Sequence, residues 1–386
     1  MLLHRVNYVL FFLLVLGVTL RSIYIYSISL APLPIISIFI SFLLCLLNKD
    51  KLRDLTYKLD FICFFIFLIV FFALAILLNL IHAISNVNLN SIIGIILSLI
   101  FFICLYSLRN VFLQYKKVFN YILVFHMFFF FFQFFMFYAF NEKVDYLVSI
   151  TGEAQRFNGF SDIEGAGLAM FRPVGLFTEP GNYSIHVLAI LWLAYLSKSI
   201  TPILEKLVLI SVFLSFSLTG MFCACLYFVL TRNMKFDGRY ILFSSILFAV
   251  IAFYFGELVV NYLSERIGNI LSDNSANVRV SAFEQVFNMP PSMQLFGAGL
   301  GNDVVDIHLP TIPYLLVTFG LVGSFCIILA FILISIKSQV SLRTYLFFCA
   351  ISFQFYTLMH PLFWLFWFGV LAFSEVNKEQ NRIEKY

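Results

Sequence analysis

Long apolar runs separated by short polar clusters recur along almost the whole chain. A helix that spans a bilayer needs roughly 20 apolar residues. The runs read as spans are Asn7–Leu20, Ile28–Leu47, Phe61–Ile81, Ser91–Leu108 and Val118–Phe140 in the first half. Ser184–Leu196, Ile241–Leu258, Ile312–Ile336, Tyr345–Met359 and Leu362–Phe373 follow in the second. Leu207–Leu230 stands apart, because Ser215-Phe-Ser-Leu-Thr-Gly220 interrupts it. It is a broken helix that crosses once, crosses twice or turns back, an arrangement tolerated at membrane depth where it lines a cavity.

Composition supports the pattern. Of 386 residues, 62% are hydrophobic and 11% are charged, where soluble domains carry roughly 25% charged residues. The expected fold is all-α: one polytopic integral membrane domain over residues 1–386. Met1–Leu20 has a basic residue and an apolar run but no small-residue cleavage site, so it reads as a retained first helix. The seven cysteines all fall in apolar segments, which points to neither a disulfide framework nor a metal cluster.

Basic clusters mark the cytoplasmic side of membrane proteins. Here they are Lys49/Lys51/Arg53/Lys58, Arg109/Lys116/Lys117, Lys198/Lys206, Arg232/Lys235/Arg239, Lys337/Arg343 and Lys378/Arg382/Lys385. Placing all of them inside requires residues 207–230 to enter and leave on one side. That topology has about twelve transmembrane helices, both termini inside, and two long outer loops, Asn141–Gly181 and Val259–Thr311. The outer loops are acidic by count, yet they hold Arg156, Arg172, Arg266 and Arg279. Arginines retained against the inside bias suit an anion site.

The second loop has its own order. Asn277, Ser281, Glu284, Gln285 and Asn288 share one helical face, and Val278, Ala282, Phe283, Val286 and Phe287 the other. An amphipathic helix on the outer membrane surface is expected, ended by Pro290-Pro291, with Arg279 at its polar boundary. Simple snorkelling would also account for Arg279. Phe296-Gly-Ala-Gly-Leu-Gly301 follows and reads as a turn that lets backbone approach a ligand.

In the first loop, Arg172-Pro-Val-Gly-Leu-Phe-Thr-Glu-Pro-Gly-Asn-Tyr-Ser184 packs two prolines and two glycines around an arginine and a glutamate. It cannot be one continuous helix. Glu179 suits the positive end of the helix that follows, but that leaves Arg172 and the stiff spacing between them unexplained. Arginine's planar fork suits phosphate and pyrophosphate. His308, just before a helix, is either a cap or a base that takes a proton from a sugar hydroxyl. No metal-ligand spacing, nucleophile elbow or phosphate loop occurs, so no metal and no cofactor are expected. An outward-facing reaction without nucleotide needs a pre-activated substrate, and a lipid pyrophosphate would supply one.

The stretch from Arg172 to Pro180 resembles the Arg-x-x-Gly-x-Phe-x-Glu-Pro signature of bacterial O-antigen polymerases of the Wzy type. Arg279, Leu295–Gly301, His308 and Gly320-Leu-Val-Gly323 are similar to the O-antigen polymerase/ligase domain, and the resemblance covers about Ile150 to Ile336. Arg156 followed by Gly167 also fits an arginine-to-glycine spacing of polymerase loops. At the broken helix the family often has Ser-Arg, whereas Leu218 follows Ser217 here, which leaves no charge at that position.

The resemblance implies a glycosyltransferase-C-like fold in the bacterial cytoplasmic (inner) membrane, with its active site facing outward. It implies a metal-independent enzyme of lipopolysaccharide or capsular polysaccharide biosynthesis that joins repeat units carried on undecaprenyl pyrophosphate. In that scheme Arg172 and Arg279 hold the donor pyrophosphate, with Arg156 and Arg266 as secondary contacts. His308 is the acceptor base, and Glu179 orients a partner such as Arg172 or is the alternative base. The implied partners are undecaprenyl-pyrophosphate-linked oligosaccharide, the bilayer, a chain-length regulator and a flippase; nucleic acid is not among them. An O-antigen ligase, which moves the glycan to lipid A core, shares the domain. A flippase or transporter is the rival without chemistry, and it should show charges inside helices and two related halves, which this sequence lacks.

Overall fold

The computed structural model describes residues 2–20, 32–48, 59–82, 89–148, 154–157, 171–232, 284, 286–300, 311–352, 358 and 360–383. The architecture is all-α. In chain order the helices are α1 (Leu2–Thr19), α2 (Pro32–Leu47), α3 (Leu59–His82), α4 (Leu89–Ser107), α5 (Arg109–Gln114), α6 (Val118–Phe140) and α7 (Pro180–Leu196). There follow α8 (Pro202–Leu214), α9 (Leu218–Thr231), α10 (Pro291–Phe296), α11 (Thr311–Lys337), α12 (Leu342–Ile351) and α13 (Pro361–Ile383). Among the described residues, α6 and α11 are long and apolar enough to cross a bilayer. The expected span Ile241–Leu258 lies outside the described residues.

The structure is organised around α7. It packs against α6, α8, α9 and α13, and every residue from Tyr183 to Ala194 is buried. A helix that is apolar all round has no solvent face to offer, so it takes the centre. Gly369 of α13 makes the approach close: a Cβ there would lie 2.7 Å from Leu193 Cδ2. Trp192 is stacked on Phe347 of α12 at 4.2 Å.

Local features differ from the reading of the apolar runs: α12 ends at Ile351, short of the end of the expected span Tyr345–Met359, and α13 continues past Phe373 to Ile383. α7 opens at Pro180, four residues before its apolar run, because proline is favoured in the first turn, where a missing N–H costs nothing. α11 is broken at Gly320, whose φ of 65° and ψ of −173° are non-helical. The break turns the carbonyls of Val317 and Thr318 outward to accept hydrogen bonds from Ala298 N (2.8 Å) and Gly299 N (3.0 Å). A Cβ on Gly297 would lie 2.3 Å from Thr318 O, and one on Gly320 2.4 Å from Gly297 N. The close backbone approach expected to serve a ligand at Gly297–Gly301 is, for Gly297–Gly299, made to the protein's own broken helix.

Residues 202–231 fold as a helical hairpin. Tyr227 Oη donates to Glu205 Oε1 at 3.2 Å, so α8 and α9 run antiparallel away from the turn at Ser215–Ser217. Ser184 Oγ meets Ser215 Oγ at 3.0 Å, and Tyr195 Oη donates to Thr231 O. The turn therefore sits at the start of α7 and both open ends sit at its finish. Each arm has 13 or 14 residues, or about 20 Å of helix, less than the roughly 30 Å of a hydrocarbon core.

Candidate functional site

The described part of the Arg172–Ser184 stretch folds back alongside α6. Asn141 closes α6 with a left-handed φ of 56°, a conformation asparagine tolerates at helix ends. Phe171 is stacked on Phe137 at 4.4 Å, and Tyr138 Oη donates to Phe171 O at 3.2 Å, near the end of α6. Deeper along the same helix, Gly175 (φ 58°) turns the chain close to His126 O. Phe177 packs beside the His126 ring at 5.2 Å.

From Phe137 to His126 is about 16 Å of helix rise. α7 then runs antiparallel to α6: Asn120 Nδ2 donates to Ser199 O, and Tyr183 is stacked on Phe130 at 4.6 Å. Tyr183 lies one turn into α7, whereas Phe130 lies nearly three turns before α6 ends. α7 thus opens about 10 Å short of the end of α6.

Non-helical backbone between apolar helices must have its polar groups satisfied by protein. Two buried glutamines do this. Gln133 of α6 donates to Val144 O and Gln155 Oε1, both at 2.9 Å. Its own oxygen accepts from Val174 N (3.1 Å) and Gly175 N (2.8 Å). Gln155 donates to Gly175 O (2.8 Å) and Phe177 O (2.7 Å), and its oxygen also accepts from Tyr146 N (3.0 Å). Each amide uses both donors and both acceptor sites, the full capacity of the group.

Asp145 completes the frame. One carboxylate oxygen accepts from Leu147 N and Val148 N, and the other from Gln155 N at 2.8 Å. Beside it, burial pushes the Tyr146 phenol up to about 12, so it is protonated at neutral pH and donates to Phe129 O.

This frame positions the charges. Arg156 N donates to Thr178 O at 2.8 Å, which brings the two strands of loop side by side. The Arg156 guanidinium then donates through Nη1 to Glu179 Oε1. Glu179 is the residue before α7, with extended φ and ψ of −138° and 149°, yet its side chain makes no capping bond. Its carboxylate goes to Arg156, not to Arg172, the partner the motif suggested. The Arg156 side chain is 69% exposed and that of Glu179 37%, while Pro173–Phe177 between Arg172 and Glu179 is buried. Arg172 is half-buried, on the far side of the turn at Gly175.

Of the candidate residues, Arg156, Arg172 and Glu179 are therefore placed, and Arg156 and Glu179 are in contact. Arg266, Arg279 and His308 lie outside the described residues, as do Gly167 and most of the expected amphipathic helix; at its end Phe287 is 75% exposed. Sequence reasoning missed Gln133, Gln155 and Asp145. The readable signal was Gln133, a lone amide in a run of phenylalanines. It also gave no role to His126, His186 and His360: the His126 and His186 rings lie 5.2 Å and 4.9 Å from Phe177, and His360 lies 5.6 Å from His186, ring to ring. All three are buried in the interior beneath the loop. Among the described residues, no cluster of His, Cys, Asp and Glu is arranged to hold a metal ion. The chain matches no protein-family model, no curated protein and no solved structure.

Proposed function

We propose that the protein is a multi-pass glycosyltransferase of the bacterial inner membrane that polymerises oligosaccharide repeat units carried on undecaprenyl pyrophosphate. The membrane placement is supported by apolar faces left uncovered. On α6, Tyr121, Val124, Phe128, Phe132 and Phe135 are exposed, and on α11 so are Leu321, Phe325, Ile328, Ile332 and Ile336. Helical faces of this size suit lipid rather than water. In this reading about twelve helices cross, and residues 141–181 and 259–311 face outward.

One observation carries the chemical reading. Arg156 and Glu179 meet, partly exposed, where backbone turns back between two apolar helices. Charges held there are costly without partners or a task. Arg172 and Arg279 would bind the donor pyrophosphate and stabilise it as it leaves. The acceptor hydroxyl attacks the anomeric carbon of the donor glycan and gives its proton to Glu179 or His308. The carbon–oxygen bond to phosphate breaks, and its electron pair leaves with the pyrophosphate.

The test is reconstitution. Purified protein in lipid nanodiscs, given lipid-linked repeat units, should yield a ladder of products with increasing unit number. If those units bind but none is extended, the polymerase reading fails; transfer to lipid A core without extension would make the protein a ligase. His308→Gln separates the two bases: a general base contributes typically 10²–10⁴-fold, so full polymerisation by this variant would assign the role to Glu179.

A further inference from the structure

We infer that Arg156 and Glu179 form a charge latch, closed in this structure and opened by the anionic end of the donor. The inference rests on the glycosyltransferase reading and concerns the order of events at that site. The pair is hydrogen-bonded and charged, yet both side chains reach solvent. Exposed pairs of this kind are weak, shifting an equilibrium by no more than about five-fold. The backbone beneath them is fixed. Gln155 is clamped by four side-chain hydrogen bonds, Arg156 N is bonded to Thr178 O, and Pro180 follows Glu179 directly. Opening the latch therefore needs only side-chain torsions, and both groups remain within reach of the same small volume.

Glu179 shows what holds it. A residue before a helix ordinarily turns its side-chain oxygen to the first free N–H groups. Glu179 has the backbone for this and does not do it; the guanidinium sets the carboxylate's position instead. A pyrophosphate carries more negative charge than a carboxylate and accepts two parallel bonds from the arginine fork. It displaces Glu179 from Arg156. The released carboxylate keeps its place beside the new ion pair, where it takes the proton of the acceptor hydroxyl as the glycosidic bond forms and the bond to phosphate breaks. The carboxylate is engaged until donor is bound, so acceptor activation waits for the donor.

The experiment measures binding of inorganic pyrophosphate, and of the lipid-linked unit, to nanodisc-embedded protein. Removing the competing carboxylate in Glu179→Gln should tighten binding two- to five-fold while elongation falls. Arg156→Gln should weaken binding several-fold or more. Unchanged or weaker binding by Glu179→Gln, in a wild type that binds and elongates, overturns the latch and leaves the glycosyltransferase reading standing. A wild type that binds neither probe overturns both. The paired swap Arg156→Glu with Glu179→Arg guards against a purely structural role. It should keep membrane levels normal without supporting elongation, and recovered elongation would make the pair a simple tie.

Discussion

Gln133→Leu removes four hydrogen bonds with little change in side-chain size. The substitution leaves Val174 N and Gly175 N, both in buried residues, without the acceptor they share. Each orphaned buried group costs about 1–3 kcal/mol, so the two together cost about 2–6 kcal/mol. Gln133 is fully buried, so the two N–H groups stay out of reach of bulk solvent when its oxygen is removed. For a large domain 1 kcal/mol corresponds to about 2 °C in melting temperature, which puts the expected fall at about 4–12 °C. The assay is thermal unfolding of detergent-purified protein, followed by loss of the monodisperse peak. Gln155→Leu should act on the same loop, and the double variant should lose less than the sum. Residues sharing one network couple by roughly 0.5–3 kcal/mol. A Gln133→Leu protein that melts within 2 °C of wild type, or strict additivity with Gln155→Leu, would show that the amide pair does not hold the loop.

Arg172→Lys and Arg279→Lys should each abolish most polymer at normal membrane levels, because lysine cannot supply the bidentate fork; near-wild-type ladders from both would refute the pyrophosphate role. Gly320→Ala should fail to accumulate, since its Cβ would sit 2.4 Å from Leu295 O and Gly297 N, all backbone. Gly175→Ala makes ordinary contacts, with Tyr183 Cδ2 at 3.4 Å and His126 O at 3.6 Å, and should cost the left-handed backbone term of about 1–2 kcal/mol; melting curves that rank the two the other way count against the packing described. The raised Tyr146 phenol keeps its proton in the folded state, so its contribution is complete below about pH 10 and fades as pH rises through about 12. Tyr146→Phe should flatten that alkaline slope, and an unchanged slope would sink the assignment.

How far the chain could be read depends on the range of the interaction. α6 matches its apolar run to the residue, Val118–Phe140, because a helix surrounded by apolar groups needs only length and hydropathy to be recognised. α7 starts four residues before its apolar run because a proline that ends one kind of backbone also starts another. The break in α11 depends on Gly297, more than twenty residues earlier, filling the space where a Cβ would stand. No local pattern carries that. The site charges show the same limit. The resemblance implies Arg172 as a partner for Glu179, but the turn at Gly175 intervenes and Arg156 arrives from a separate part of the loop. A buried amide in an apolar helix is costly unless satisfied, so Gln133 was a legible sign of a partner, although its partners were not legible.

The placement of Glu179 depends on a second element that the motif does not contain. Ser184, one turn into α7, donates to Pro180 O at 2.8 Å and meets Ser215 Oγ at the hairpin turn. Tyr183 donates to Ser211 Oγ at 2.7 Å from the same turn of helix. Gly220 leaves no room for adjustment, since a Cβ there would lie 2.5 Å from Ser184 Oγ. Phe216 supplies the sharp reversal with a φ of 52°, and Ser217 caps α9 by accepting from Gly220 N. The first turn of α7 is thus gripped from one side by the α8–α9 turn and from the other by the glutamine-clamped loop. A shift of the α8–α9 turn would carry Glu179 with α7 while Arg156 stayed with the glutamine-clamped loop. The contact between these two charges therefore reports on the packing of α6, α7 and the hairpin together, and the Ser-Phe-Ser break in the chain belongs to the site as much as the Arg172–Pro180 motif does.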